Sequence, residues 1–60
     1  MLQDKQQSAR QKLVQAALIT FAEKGYEGAS TREIADKAGA NISSIRYYFG
    51  DKAGLYRAAY

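Results

Sequence analysis

The sequence predicts an all-α fold: a three-helix bundle that contains a helix-turn-helix, followed by the start of a fourth, connecting helix. The chain has 60 residues, enough for one domain at most, and no proline interrupts it. Its apolar residues recur at the three- and four-residue spacing of amphipathic helices. Glycines and capping residues separate these apolar segments at short intervals.

The first helix has a predicted start and end. Ser8 and Gln11 match a capping box, so the helix is expected to begin there and residues 1–7 to form a flexible polar tail. Gly25 stands where a left-handed residue would end the helix. The apolar face between them contains Leu13, Ala17 and Phe21 at four-residue spacing, with Val14 and Leu18 beside them.

The second helix is short and has signals at both ends. Ser30 and Glu33 form an S-x-x-E capping box, and Gly39 closes the helix. Its predicted inward residues are Ile34, Ala35 and Ala38.

The third helix follows almost at once. Asn41 is its predicted N-cap, with a side-chain oxygen that can accept from the backbone N–H two or three residues on, and Gly50 is its stop. Asp51 then caps a fourth helix across residues 51–60. The predicted inward residues of that helix are Leu55, Ala58 and Ala59.

A helical wheel divides the third helix into two faces, at about 100° per residue. The inward arc contains Ile42, Ile45, Tyr48 and Phe49. The outward arc contains Ser43, Ser44, Arg46 and Tyr47. The run of three aromatic residues is therefore expected to split, with Phe49 in the core, Tyr48 at the boundary and Tyr47 exposed.

The second and third helices match the requirements of a helix-turn-helix. Ala35 is small enough for a close helix crossing, Gly39 permits the tight turn, and Ile45 anchors the inner face. In this motif the first helix crosses the DNA backbone and the second lies in the major groove. The outward serines, guanidinium and phenol suit contacts to bases and phosphates.

Composition limits the other classes of function. The net charge is +3 and the isoelectric point is near 9.4, which suits an anionic partner. The chain has no Cys and no His, so no disulfide, metal site or cofactor is expected. Its first residues do not resemble a secretory signal, and no apolar run approaches the roughly 18 residues of a membrane span. A cytoplasmic location without membrane contact is therefore expected.

Residues 9–60 resemble the DNA-binding domain of the tetracycline-repressor (TetR/AcrR) family of bacterial transcriptional regulators. The resemblance is carried by "AALITFAEKGYEGAS", "TREIADKAGA" and "YYFGDKAGLY". It implies a three-helix DNA-binding unit in residues 8–50. It also implies that residues 51–60 start a helix leading to a ligand-binding and dimerisation domain absent from this chain. The implied parent is a homodimer, usually a repressor, that reads a palindromic operator on double-stranded DNA and responds to a small-molecule effector.

The resemblance implies eight DNA-binding positions on the second, third and fourth helices. They are Thr31, Arg32, Ser43, Ser44, Arg46, Tyr47, Tyr48 and Lys52. In the family, the start of the second helix touches phosphate and sometimes a base, and the start of the fourth grips phosphate. Arg46 departs from the family, where Tyr is usual; it could shift base reading toward guanine, because arginine pairs bidentately with guanine O6 and N7.

Two other functions compete with DNA binding. A catalytic Ser–Lys pair could be drawn from Ser43 or Ser44 with Lys37 or Lys52, but the sequence supplies no oxyanion site or desolvated pocket, so no enzyme is expected. A helical protein-interaction module could use the Tyr- and Arg-rich face. Salt separates the two binding functions, because phosphate contacts release counterions and an aromatic interface does not.

Overall fold

The computed structural model describes the backbone of residues 2–60 and the side chains of residues 9–60. This part of the chain forms four helices: α1 (Leu2–Gly28), α2 (Thr31–Ala38), α3 (Ile42–Phe49) and α4 (Lys52–Ala59). Helix α1 packs against α2 and α4, and α3 packs against the same two helices from the other side. The all-α fold with a helix-turn-helix and a fourth helix is confirmed.

The core draws residues from all four helices, in the places that the apolar spacing predicts. Its larger side chains are Leu13 and Phe21 from α1, Ile34 from α2, Ile45 from α3 and Leu55 from α4. These residues form one contiguous cluster, so each short helix is held by at least one fully buried anchor. The position of α3 is therefore set by Ile45, which is 1% exposed.

Helix α1 begins earlier than predicted, and the predicted stop at Gly25 is present as a break in the helix. It begins at Leu2 rather than Ser8, so residues 2–7 are helical instead of forming the predicted tail. These residues include several strong helix formers, which extend the helix past a local capping signal. The side chain of Ser8 lies outside the described residues. Gly25 interrupts the helix with φ 77° and ψ 168°, but a further helical turn runs on to Gly28.

The caps of α2 form as predicted. The Ser30 hydroxyl accepts from the Glu33 backbone N–H at 3.0 Å. Gly39 adopts the left-handed conformation, with φ 70° and ψ 31°. The N–H of Gly39 donates to the Asp36 carbonyl and that of Ala40 to the Ala35 carbonyl, which is the Schellman pattern. This closure turns the chain into α3 within three residues.

The caps of α3 and α4 differ from each other. The Asp51 carboxylate accepts from the Gly54 N–H at 2.8 Å, as predicted. Asn41 precedes α3, but its side chain makes no cap hydrogen bond. Its backbone carbonyl accepts from Ser44 at 3.0 Å instead, so the side-chain cap predicted for Asn41 is wrong.

Two residues predicted to face inward are exposed. Ile42 is 39% exposed because it is the first residue of α3, where the helix passes the end of α2. A wheel gives the angle of a residue but not its position along the axis, so it misses this effect. Ala58 is also exposed, one turn beyond the last buried residue of α4, which is Leu55.

Aromatic rings from α1 and α4 pack on one side of the core. Phe21 stacks on Tyr26, with ring centroids 5.7 Å apart, and meets Tyr56 edge-on at 5.1 Å. Tyr60 packs on Tyr56 at 4.7 Å. These ring contacts hold the second half of α4 against α1.

Candidate nucleic-acid interface

The outward face of α3 presents a guanidinium and a phenol to solvent. Ser43 and Arg46 are exposed, and Tyr47 is 78% exposed. All three stand on a helix whose opposite face carries buried Ile45, so their direction is fixed by packing. Ser44 is only half-buried rather than fully outward, because it lies at the edge of the arc that meets the neighbouring helices.

The aromatic run splits at the end of α3 as the wheel predicts. Tyr48 is half-buried and meets the exposed Tyr47 ring edge-on, with centroids 5.0 Å apart. Phe49 packs against the core cluster and lies 6.1 Å from Tyr48. The guanidinium of Arg10, on α1, lies 5.2 Å from the Phe49 ring centroid. A continuous series of contacts therefore connects α1 to the outward face of α3. It runs from Arg10 through Phe49 and Tyr48 to Tyr47.

The start of α2 is open to solvent beside α3. Thr31 is half-buried and Arg32 is exposed, immediately after the Ser30 cap. The first backbone N–H groups of a helix lack helical partners and carry the positive end of its dipole, which favours an anion such as phosphate. Arg32 also lines a smaller cleft of ≈ 250 Å³ with Asn41 and Ile42, between α2 and α3.

One open cleft of ≈ 760 Å³ connects the ends of the helices that carry the predicted site. Thr31 lies on one wall, at the start of α2, and Arg46 on another, on α3. Lys52 lines it from the start of α4, and the carboxylates of Glu27 and Asp51 also line it. The cleft therefore brings together one predicted residue from each of α2, α3 and α4. The other five predicted residues do not line it: Arg32, Ser43, Ser44, Tyr47 and Tyr48.

Lys52 is placed differently from the other predicted site residues. Its ammonium donates to the Tyr26 carbonyl at 2.7 Å and to the Ala29 carbonyl at 3.0 Å. It also lies 4.4 Å from the centroid of the Tyr26 ring. The side chain is partly buried, so this cation is engaged with the corner between α1 and α2.

Sequence reasoning missed two features that shape this surface. A Cβ atom at Gly54 would overlap the carbonyl oxygen of Phe49, so α4 approaches the end of α3 at a distance that only glycine allows. The carbonyls that engage Lys52 lie 23 and 26 residues away in the chain. The sequence signal for the close approach of α3 and α4 was Gly54, a glycine in the first turn of a helix. No local sequence pattern indicates the contacts of Lys52.

Surface ion pairs join α1 to α2 away from this cleft. The Lys24 ammonium lies 2.6 Å from a Glu33 carboxylate oxygen, and Lys37 lies 3.6 Å from Glu23. The hydrogen bond and charge of Glu33 raise the pKa of Lys24. These pairs engage two cations on the flank, whereas Arg46, the basic residue of α3, lies exposed on its outward face.

Within residues whose side chains are described, no group of His, Cys, Asp and Glu could hold a metal ion. None of the described helices is long and apolar enough to cross a membrane.

The geometry defines a helix-turn-helix module: two short helices joined by a glycine turn, with the second presenting a polar face. Residues 13–59 match the model of the family described as "Bacterial regulatory proteins, tetR family". The chain belongs to this family and forms its helix-turn-helix DNA-binding domain.

The curated relatives are HTH-type transcriptional regulators. The chain is 52% identical over 54 residues to the HTH-type transcriptional dual regulator CecR of Shigella flexneri, which covers 90% of the chain and 24% of the relative. It is 40% identical over 55 residues to the HTH-type transcriptional repressor AcnR of Corynebacterium glutamicum, covering 92% of the chain and 29% of the relative. The chain thus spans between a fifth and a third of the length of these relatives.

A solved structure supports the fold independently. The crystal structure of HlyIIR, a hemolysin II transcriptional regulator, superposes with a TM-score of 0.85 at 37% sequence identity. The match covers 90% of this chain and 30% of that one.

Proposed function

We propose that the domain recognises a specific double-stranded DNA sequence by placing α3 in the major groove. The observation that carries the proposal is the pairing of a buried anchor, Ile45, with the outward Arg46 and Tyr47 on the same short helix. An α-helix fits the major groove, and base edges there are read by side chains that project from it. Helix α3 has both the support and the projecting groups.

Base reading is assigned to Ser43, Ser44 and Arg46. Arg46 reads a guanine through O6 and N7, because its guanidinium is exposed and matches that bidentate acceptor pair. The two serines are small, so the helix backbone can approach the base edges closely. Ile42 adds an exposed apolar group at the start of α3 that suits contact with a thymine methyl.

Backbone contacts are assigned to both sides of α3. Thr31 and Arg32, at the start of α2, hold phosphates of one strand with help from the helix N-terminus. Tyr47 and Tyr48 hold phosphates on the other side. Lys52 belongs to the same surface, although its ammonium is already engaged.

The proposal extends to the longer regulator that the relatives indicate. Two copies of this domain, joined through a dimerisation domain outside this chain, would read a palindrome with half-sites about 34–36 Å apart or slightly more. A small-molecule effector would bind the other domain and relieve repression in the cytoplasm. The role of this domain is binding rather than catalysis.

In vitro selection from random duplexes tests the proposal. The isolated chain is expected to bind weakly, because one domain lacks the effective concentration that a linked second domain provides. Selection at low salt should enrich a short motif that contains guanine, and affinity for it should fall steeply as salt increases. Enrichment of no motif, with affinity insensitive to salt, would contradict DNA recognition and favour a protein partner for the Tyr- and Arg-bearing face.

A further inference from the structure

Lys52 occupies a corner where two helix ends meet. Its ammonium has three N–H donors, and two of them point at the carbonyls of Tyr26 and Ala29. The Tyr26 ring lies beside the same ammonium, so the charge is held by oxygens and an aromatic face together. A lysine whose ammonium is free to bind phosphate would be exposed and would lack these contacts.

The contacted carbonyls belong to the segment that leads into α2. Tyr26 lies just after the Gly25 kink, and Ala29 directly precedes the Ser30 cap. Carbonyls at the end of a helix lack helical partners, so hydrogen bonds from a cation satisfy them. The ammonium thus fixes the path of residues 26–29, and with it the position at which α2 begins.

The start of α2 and the outward face of α3 must act together on DNA. Thr31, Arg46 and Lys52 line one cleft, but they stand on three different helices. A phosphate contact at Thr31 and a base contact at Arg46 can form at once only if the distance between them is correct. Lys52 fixes the position of Thr31, one of the two ends of that distance, by holding the corner that precedes α2.

We propose that Lys52 is a positioning residue: its ammonium holds the corner at residues 26–29, and through it Thr31, at a fixed distance from Arg46, instead of gripping phosphate itself. This inference rests on the proposed DNA-binding function. It assigns Lys52 a role different from the phosphate contact that the family resemblance implies, and it follows from the two hydrogen bonds to carbonyls.

The first test is nitrogen-15 NMR of the lysine ammonium groups in the free chain at low temperature and mildly acidic pH. A hydrogen-bonded, partly buried ammonium exchanges its protons slowly, so Lys52 should give a resolved signal, whereas that of the exposed Lys12 should be lost to exchange. On titration with a selected duplex, the Lys52 signal should keep its position. A large shift on binding, with the signal following DNA saturation, would show a direct phosphate contact and overturn the proposal.

The second test is a double-mutant cycle. Lys52→Met keeps the aliphatic stem and removes the ammonium, Thr31→Val removes the hydroxyl at the start of α2, and Lys12→Met is the control for loss of one positive charge. We expect Lys52→Met to weaken binding about tenfold and to shift the backbone amide signals of residues 26–31 without DNA. Combined with Thr31→Val, the loss should be clearly smaller than the product of the single losses, because the two changes act on one contact.

A direct phosphate grip predicts the opposite result in the same cycle. The two losses would then multiply, and Lys52→Met would reduce the slope of log affinity against log salt by about 0.9, as expected for one phosphate. If Lys52→Met does not fold, the ammonium titration of the unchanged chain decides between the two roles.

Failure of the proposed function looks different from failure of this inference. If the unchanged chain binds no duplex, DNA recognition fails and the positioning role fails with it, while the slow ammonium signal still reports the corner. If the chain binds DNA but the Lys52 ammonium exchanges as fast as that of Lys12, only the positioning role is wrong.

Discussion

Arg46 and Lys52 line the same cleft, yet their charged groups have different surroundings. The guanidinium of Arg46 projects from an exposed position on α3, whereas the ammonium of Lys52 is partly buried against two backbone carbonyls. A charge on the proposed DNA-binding surface can therefore serve either as a contact or as a support. Packing decides between these roles, and the two residues can be separated by experiment.

The largest expected effect comes from disrupting the close packing of α3 against α4, the two helices that carry Arg46 and Lys52. Gly54→Ala places a methyl group onto the Phe49 carbonyl oxygen, which is backbone and cannot move aside. Forced overpacking of this kind costs about 3 kcal/mol, enough to unfold much of a small domain. Urea denaturation followed by circular dichroism measures the loss.

Ala58→Ser, on the exposed side of the same helix, is the control and should leave stability nearly unchanged. Equal stability of the Gly54→Ala variant and the unchanged chain would show that the close approach of α3 and α4 is not required.

Arg46→Ala tests whether Arg46 contacts a base directly. We expect the loss of a bidentate guanine contact to weaken binding to the selected motif by about 2 kcal/mol, with a smaller loss on scrambled DNA. Competition binding against both duplexes measures the difference. Arg57→Ala removes the same charge from an exposed position on α4 and is the control. Identical losses on both duplexes would contradict base reading by Arg46.

A stabilised background makes these binding variants easier to compare. The Thr20 hydroxyl is fully buried and has no hydrogen-bond partner among the described residues. Thr20→Val removes this unsatisfied group at nearly the same volume and should stabilise the fold by about 1 kcal/mol, with DNA affinity unchanged. The midpoint of thermal unfolding checks it. A lower midpoint would mean that the hydroxyl has a partner, such as a buried water molecule.

The smallest expected effect concerns a third cation, on the flank. The pKa of Lys24 is raised by Glu33, so the pair stabilises the folded chain fully below the ordinary lysine pKa of 10.5. That contribution is lost as pH rises through the raised pKa. Glu33→Gln keeps the backbone N–H that donates to Ser30 but removes the charge.

The difference in unfolding midpoint between Glu33→Gln and the unchanged chain should be small near pH 8. It should decrease in strong alkali to the part that comes from the Glu33 charge in the first turn of α2. A difference that grows with pH would contradict the assigned sign.

Local features of this fold were predictable from the sequence. The Ser30 and Asp51 caps and the Gly39 turn depend on residues within four positions of each other, and apolar spacing identified the anchors Ile34, Ile45 and Leu55. The exposure of Ile42 was not predictable in this way, because it depends on where the start of α3 lies relative to the end of α2.

The candidate site divides in the same way. The outward positions of Arg46 and Tyr47 follow from the helical period, because a buried anchor fixes the opposite face. The contacts of Lys52 do not, because the oxygens that hold it lie more than 20 residues earlier in the chain. The resemblance to the family implied a phosphate contact for Lys52 and said nothing of these carbonyls.

The most direct test of DNA recognition by α3 is a nitrogen-15 amide titration of the chain with the selected duplex at low salt. The account predicts shifts concentrated on Thr31, Ser43, Arg46 and Tyr47, which fade as salt is added. A folded spectrum that does not respond to DNA, or shifts concentrated on the aromatic cluster around Tyr56 instead, would contradict it.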